Sequence, residues 1–201
     1  MVTDYKPAVS EVKSLREMTG AGMMDVRNAL VEAAGDVEAA RRILREKGMA
    51  KAGKLAGRRT TEGRIGAYVH GGNTKGVLVE VGCETDFVAS NEKMGEFVKD
   101  LTLQIVSSEN TRYVSVDEVP EEVRQAELEV YRAQAADKPA AVQDKIAEGR
   151  LKKWYAEVVL LEQPYFRDES TTVDQHRAAL AREMGENIEV KRFARFDVKA
   201  G

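Results

Sequence analysis

Cysteine is almost missing from this chain: among 201 residues only Cys83 is one. A single thiol excludes an intrachain disulfide framework and a cysteine-rich zinc site, and it predicts a reduced, cytoplasmic setting. Histidine is nearly as scarce, with His70 and His176 far apart and no acidic or thiol partner at metal-ligand spacing around either. No metal and no other cofactor is therefore expected. No stretch approaches the roughly 18 apolar residues of a membrane span, so no membrane partner is expected. The N-terminal MVTDYKPAVSEVK lacks the apolar core of a signal peptide. Nor does one charge dominate: 31 Lys and Arg stand against 34 Asp and Glu, for a formal net charge of -3. That balance, with aromatics at 6%, argues against a broad nucleic-acid face or a base-stacking strip, and no direct nucleic-acid partner is expected.

Reaction chemistry is just as hard to assemble. GGNTKGV, residues 71–77, has the glycines of a phosphate-binding loop, but Val77-Leu78 stand where Lys-Ser/Thr is required. Paired acids such as Glu121-Glu122 fall on a solvated helix face, and Cys83 ends a strand with no base nearby. No nucleophile, base and oxyanion hole come together, so no covalent chemistry is expected. GRIG, residues 63–66, has the spacing of a KH-type loop, yet it opens a strand where that fold joins two helices.

What is present is a soluble globular pattern, 43% hydrophobic and 32% charged. Three short helices are expected in residues 1–50. The first is capped by Ser10 and has Val12, Leu15 and Met18 inward. The second runs from about Met24 to Ala34 after turns at Gly20 and Gly22. The third is capped by Asp36, has Val37, Ala40, Ile43 and Leu44 inward, and ends at Gly48. Residues 51–63, with Lys51, Lys54, Arg58 and Arg59, read as a basic linker. Residues 64–201 read as an α+β core. A β-hairpin carries Ile65, Ala67 and Val69, then Val77, Val79 and Val81. A long helix follows with a Met94, Phe97, Val98, Leu101 and Ile105 stripe. Two antiparallel helices over about 121–161 bring Val123, Leu128 and Tyr131 against Val142, Ile146 and Leu151. A helix from about Val173 to Met184 and a final strand complete an antiparallel three-stranded sheet.

Two places resist a purely structural reading. In GAGMMD, Met23 and Met24 follow a glycine turn, where at most one points inward easily; they are core residues or a flexible docking surface. In TDFVAS, Thr85 or Asp86 caps a helix and Phe87 packs as a staple, or the pair is held out for a partner.

Four separated motifs give a more specific reading. LREMTGAGMMDVRNAL, VEVGCETDFVA, IAEGRLKKWYAEVVLLEQP and GENIEVKRFARFDV resemble bacterial translation elongation factor Ts, from about residue 10 onward. The resemblance implies a guanine-nucleotide exchange factor for the GTPase elongation factor Tu, of the short form with one core module. It implies a three-helix N-terminus resembling a ubiquitin-associated domain and a projecting helical hairpin. It places Thr85, Asp86, Phe87 and Val88 against the partner's magnesium site, and Leu15, Met23 and Met24 on a helix of the same partner domain. It also implies a homodimer. Where some short relatives carry a bridging cysteine in the last strand, this chain has Ala194, so the dimer is expected to be non-covalent. The rival readings are an RNA-binding translation module and a helical-hairpin adaptor without exchange activity.

Overall fold

The structure is a computed structural model that describes residues 5–19, 21, 23–55 and 57–199; the side chains of 17 and 48–54 also lie outside the description. The turn predicted at Gly20 and Gly22, and the side chains of Lys51 and Lys54, are thus outside the described residues. By contact the chain divides into two compact units. One comprises Met1–Arg64, Gly82–Met94 and Gln175–Glu189, and the other Ile65–Val81, Gly95–Asp174 and Val190–Gly201. The protein is mixed α+β with a three-stranded antiparallel sheet.

The first unit begins with α1 (Val9–Thr19), α2 (Met23–Glu32) and α3 (Val37–Leu55). Val12, Leu15, Val26, Leu30, Ala40 and Leu44 form their shared core. Ser10 does not cap α1, because it lies inside the helix. Glu11 closes the first turn instead: its carboxylate accepts from the Ala8 backbone N–H at 2.6 Å and from the Tyr5 hydroxyl at 2.8 Å. Those bonds, the Ala8 one foremost, hold the Glu11 carboxyl below the usual range. Helix α2 ends at Glu32, two residues before the expected Ala34, and the turn that follows closes at the expected Gly35, where only glycine serves. Its φ is +88°, and a Cβ would lie 2.7 Å from the Tyr5 ring. Asp36 caps α3 through the Ala39 N–H at 3.0 Å, as predicted.

Gly48 does not end α3, which continues to Leu55 and absorbs the start of the expected linker. A lone mid-helix glycine costs only about 1 kcal/mol, too little to stop a run of Arg, Glu, Lys, Met and Ala. Met18 and Val37, expected inward, are exposed.

The second unit holds the sheet, built from β1 (Glu62–Val69), β2 (Lys75–Cys83) and β5 (Glu189–Asp197) in the order β1-β2-β5. A turn at Gly71–Asn73 joins β1 to β2, using positive φ at Gly72 and Asn73. Val77, Val79 and Val81 are buried, on the inner face. The alternating Ile65 and Val69 of β1 point the other way and are exposed. Gly66 explains the reversal. It turns to the helix α5 (Glu92–Ser107), and a Cβ there would come within 2.6 Å of Val98. The strand thus approaches α5 along a glycine and leaves its apolar side chains outside. Phe97, Val98, Leu101 and Ile105 of α5 are buried, as the stripe predicts.

Helices α6 (Glu121–Ala133) and α7 (Ala140–Val158) pack through Leu128, Ala147 and Leu151, and Arg132 pairs with Asp144 at 2.8 Å. Ala147 rather than Val142 closes this seam; Val142, five residues earlier and so about 140° round the helix from it, is exposed. The sequence reading missed a two-stranded ribbon, β3 (Pro164–Tyr165) with β4 (Asp168–Thr172). Its DESTT strand has no apolar alternation to betray it. Polar bonds hold it: the Asp100 carboxylate takes two bonds from Arg167, at 2.7 and 2.6 Å, and one from the Tyr165 hydroxyl. Helix α8 (Val173–Met184) then ends at Gly185, whose φ of +72° makes the stop.

Candidate functional site

The corner after β2 is a single helical turn, α4 (Asp86–Ala89), between two caps. Thr85 is extended at φ −127° and ψ 158°, and its hydroxyl accepts from the Val88 N–H at 3.5 Å. Asn91 opens α5 by accepting from the Lys93 N–H at 2.9 Å. Consecutive residues on a helix stand about 100° apart, so Phe87 and Val88 face different directions from this one turn. Val88 goes inward, at 8% exposure, and Phe87 stands out at 85%. Phe87 is therefore no staple, and Thr85, not Asp86, is the cap. Asp86 is exposed, and its carboxylate makes no hydrogen bond among the described residues.

Behind the corner lies a clasp from the far end of the chain. Glu186 Oε2 accepts from the backbone N–H groups of Glu84 and Thr85, each at 3.0 Å, and Oε1 accepts the Thr85 hydroxyl at 2.6 Å. In return, Glu84 Oε1 accepts the Asn187 backbone N–H at 2.7 Å. The Asn187 amide donates to the Arg58 carbonyl at 3.0 Å, and the Arg58 guanidinium lies 3.5 Å from Glu84. Glu84, Glu186 and Asn187 escaped the sequence reading, because no local pattern pairs residues 102 positions apart.

Met23 and Met24, in the first turn of α2, are 59% and 60% exposed. Leu15 is 1% exposed, at the centre of the three-helix core. The docking role assigned to Leu15 needs correction for that reason: its side chain holds up the helices that carry the methionines. Val88 is corrected likewise, as an inward anchor of the corner. Thr85 turns its hydroxyl to Glu186. The residues that reach solvent are Asp86, Phe87, Met23 and Met24.

The other candidates are structural. The Cys83 thiol is buried, donates to the Thr85 carbonyl at 3.2 Å, and is pushed up by burial and then by the Glu186 charge, which makes it a poor nucleophile. Gly63 and Gly66 both lie within β1, so GRIG is strand and not a loop between helices. Among the described residues no group of three His, Cys, Asp or Glu is placed to hold a metal ion, and no helix is long and apolar enough to cross a membrane.

The class defined here is an α+β protein that carries an exposed apolar side chain on a corner clamped from behind. The Elongation factor TS family model matches residues 8–200. The chain is 55% identical to Elongation factor Ts of Caldanaerobacter subterraneus subsp. tengcongensis over 188 residues, covering 92% of this chain and 94% of that protein. It is 50% identical to Elongation factor Ts of Carboxydothermus hydrogenoformans over 192 residues, 94% and 88% of the two chains. Against Elongation factor Ts of Geobacter sulfurreducens the identity is 47% over 194 residues, 96% and 89%. The chain belongs to the elongation factor Ts family.

Proposed function

We propose that this protein releases GDP from elongation factor Tu by pressing Phe87 and Asp86 into the partner's magnesium and phosphate site, while Met23 and Met24 dock on the same partner domain. Family membership makes the chain a guanine-nucleotide exchange factor for elongation factor Tu in translation elongation. The observation that carries the residue assignment is the 85% exposure of Phe87 on a corner held by hydrogen bonds on its inner side. Magnesium and a phosphate loop hold a diphosphate by electrostatics, where small displacements are costly. Burying Phe87 in the partner is worth about 1.5–3 kcal/mol toward the displaced state. Asp86 brings a carboxylate to a site tuned for phosphate. The coupling is reciprocal: bound nucleotide weakens the grip of the factor, so rebinding of GTP or GDP ejects it. No covalent bond is made or broken. The experiment is release of fluorescent GDP from elongation factor Tu with and without this protein; equal rates overturn the reading, and binding without release favours the adaptor.

The first three helices, resembling a ubiquitin-associated domain, form the docking segment, with the α6–α7 hairpin as a separate arm. Two exposed methionines in one turn give a flexible apolar contact. The double variant Met23→Ser, Met24→Ser is expected to raise the factor concentration for half-maximal GDP release about tenfold, with the plateau rate retained. A titration of exchange rate against factor concentration checks it, and an unchanged midpoint removes the methionines from the contact.

Assembly as a non-covalent homodimer is supported by the outer sheet face. Ile65, Val69, Leu78 and Phe196 are exposed there, while Phe193 is partly buried, so Phe196 is the contact residue of the two. Four large apolar side chains on one open sheet face call for a cover. Sedimentation at micromolar concentration is expected to give a dimer for the wild type and a monomer for Phe196→Asp. A monomeric wild type overturns the assignment.

A further inference from the structure

We propose that Glu186 is a positioning residue of the exchange reaction, clamping the Glu84–Thr85 backbone so that Phe87 stands at one fixed place. The inference rests on the reading of Phe87 as the inserted side chain. The corner has little rigidity of its own. Helix α4 is one turn, far below the length at which a helix is stable by itself. Its cap bond, Thr85 hydroxyl to Val88 N–H, is long at 3.5 Å, and Val88 is its buried apolar anchor. A side chain that must push against a partner needs a stiffer mount.

Glu186 supplies one. Its two oxygens take three donors, the N–H groups of Glu84 and Thr85 and the Thr85 hydroxyl, within 3.0 Å. A carboxylate gathering three donors is a stronger and more directional tie than neutral bonds give. The tie is doubled by the return bond from the Asn187 N–H to Glu84, and Asn187 is itself fixed to the Arg58 carbonyl. Each acid thus accepts from the backbone of the other segment, just past the end of β2 on one side and just before β5 on the other. The clasp begins directly after the α8 stop at Gly185, so the helix end sets where the carboxylate stands. The three bonds to Glu186 and the return bond to Glu84 act on the two residues preceding Asp86 and Phe87.

Glu186→Gln tests this, because the amide keeps the shape but loses the charge and turns a donor toward existing donors. Release of fluorescent GDP from elongation factor Tu is followed against factor concentration, beside a melting curve. The plateau rate is expected to fall about tenfold, while the half-saturating concentration stays within about twofold. A merely structural loss lowers the amount of folded factor and shifts the midpoint, leaving the plateau. In a Phe87→Ala background the same change is expected to add nothing, since no ring is left to position. If Glu186→Gln does not fold, Thr85→Val, which lacks the hydroxyl donor, is expected to lower the plateau, and Thr85→Ser to restore it. A folded Glu186→Gln protein with a normal plateau, or an effect additive with Phe87→Ala, overturns the positioning role while leaving Phe87 in place. A normal plateau for Phe87→Ala alone overturns the insertion reading and the clamp with it.

Discussion

Phe87→Ala is expected to slow GDP release from elongation factor Tu at saturating factor by about 10- to 100-fold, with a melting temperature close to wild type. The rate follows from the ring's burial in the partner, about 1.5–3 kcal/mol, at roughly 1.4 kcal/mol per factor of ten. The unchanged melting follows from its 85% exposure: nothing packs around the ring, so removing it leaves no cavity. Asp86→Ala should give a smaller loss of exchange and no loss of stability, since Thr85 supplies the cap. Stopped-flow release together with a thermal melt distinguishes the outcomes. A Phe87→Ala protein that melts far below wild type, yet exchanges normally per folded molecule, would remove Phe87 from the mechanism.

Phe97→Ala is expected to do the reverse. This ring, in α5, is 1% exposed and among the largest fully buried side chains. Truncating it costs about 3–5 kcal/mol through lost transfer energy and a residual cavity. For a chain of this length that lowers the melting temperature by roughly 10 °C. Exchange per folded molecule should remain at the wild-type plateau, because the ring is buried and presents no surface to a partner. The measurement is differential scanning calorimetry alongside the same release assay. A Phe97→Ala protein of normal stability would mean that the α5 core closes without the ring.

The two phenylalanines show how far a sequence can be read. Both sit in helices beside apolar neighbours, and hydropathy treats them alike. For Phe97 the recurrence of Met94, Val98, Leu101 and Ile105 at helical spacing was enough, because a stripe of that length has only one way to face. For Phe87 a four-residue turn offers no period; the local residues favoured a staple, and the protrusion rested on the family resemblance until its 85% exposure beside buried Val88 was known.

The sequence by itself determined the turn at Gly35, the helix stop at Gly185, the Asp36 cap, the buried faces of β2 and α5, and the family, since these rest on local backbone chemistry, periodicity and motif. Tertiary structure decided the rest. It turned Ile65 and Val69 outward because Gly66 must pass close to Val98. It left Met18, on the same predicted inward face as buried Leu15, exposed. It also brought Glu186 to the backbone of Thr85, a bond between residues 101 positions apart. Which face of an element is covered depends on its neighbours in space, and a pattern that repeats every two or four residues carries no record of them.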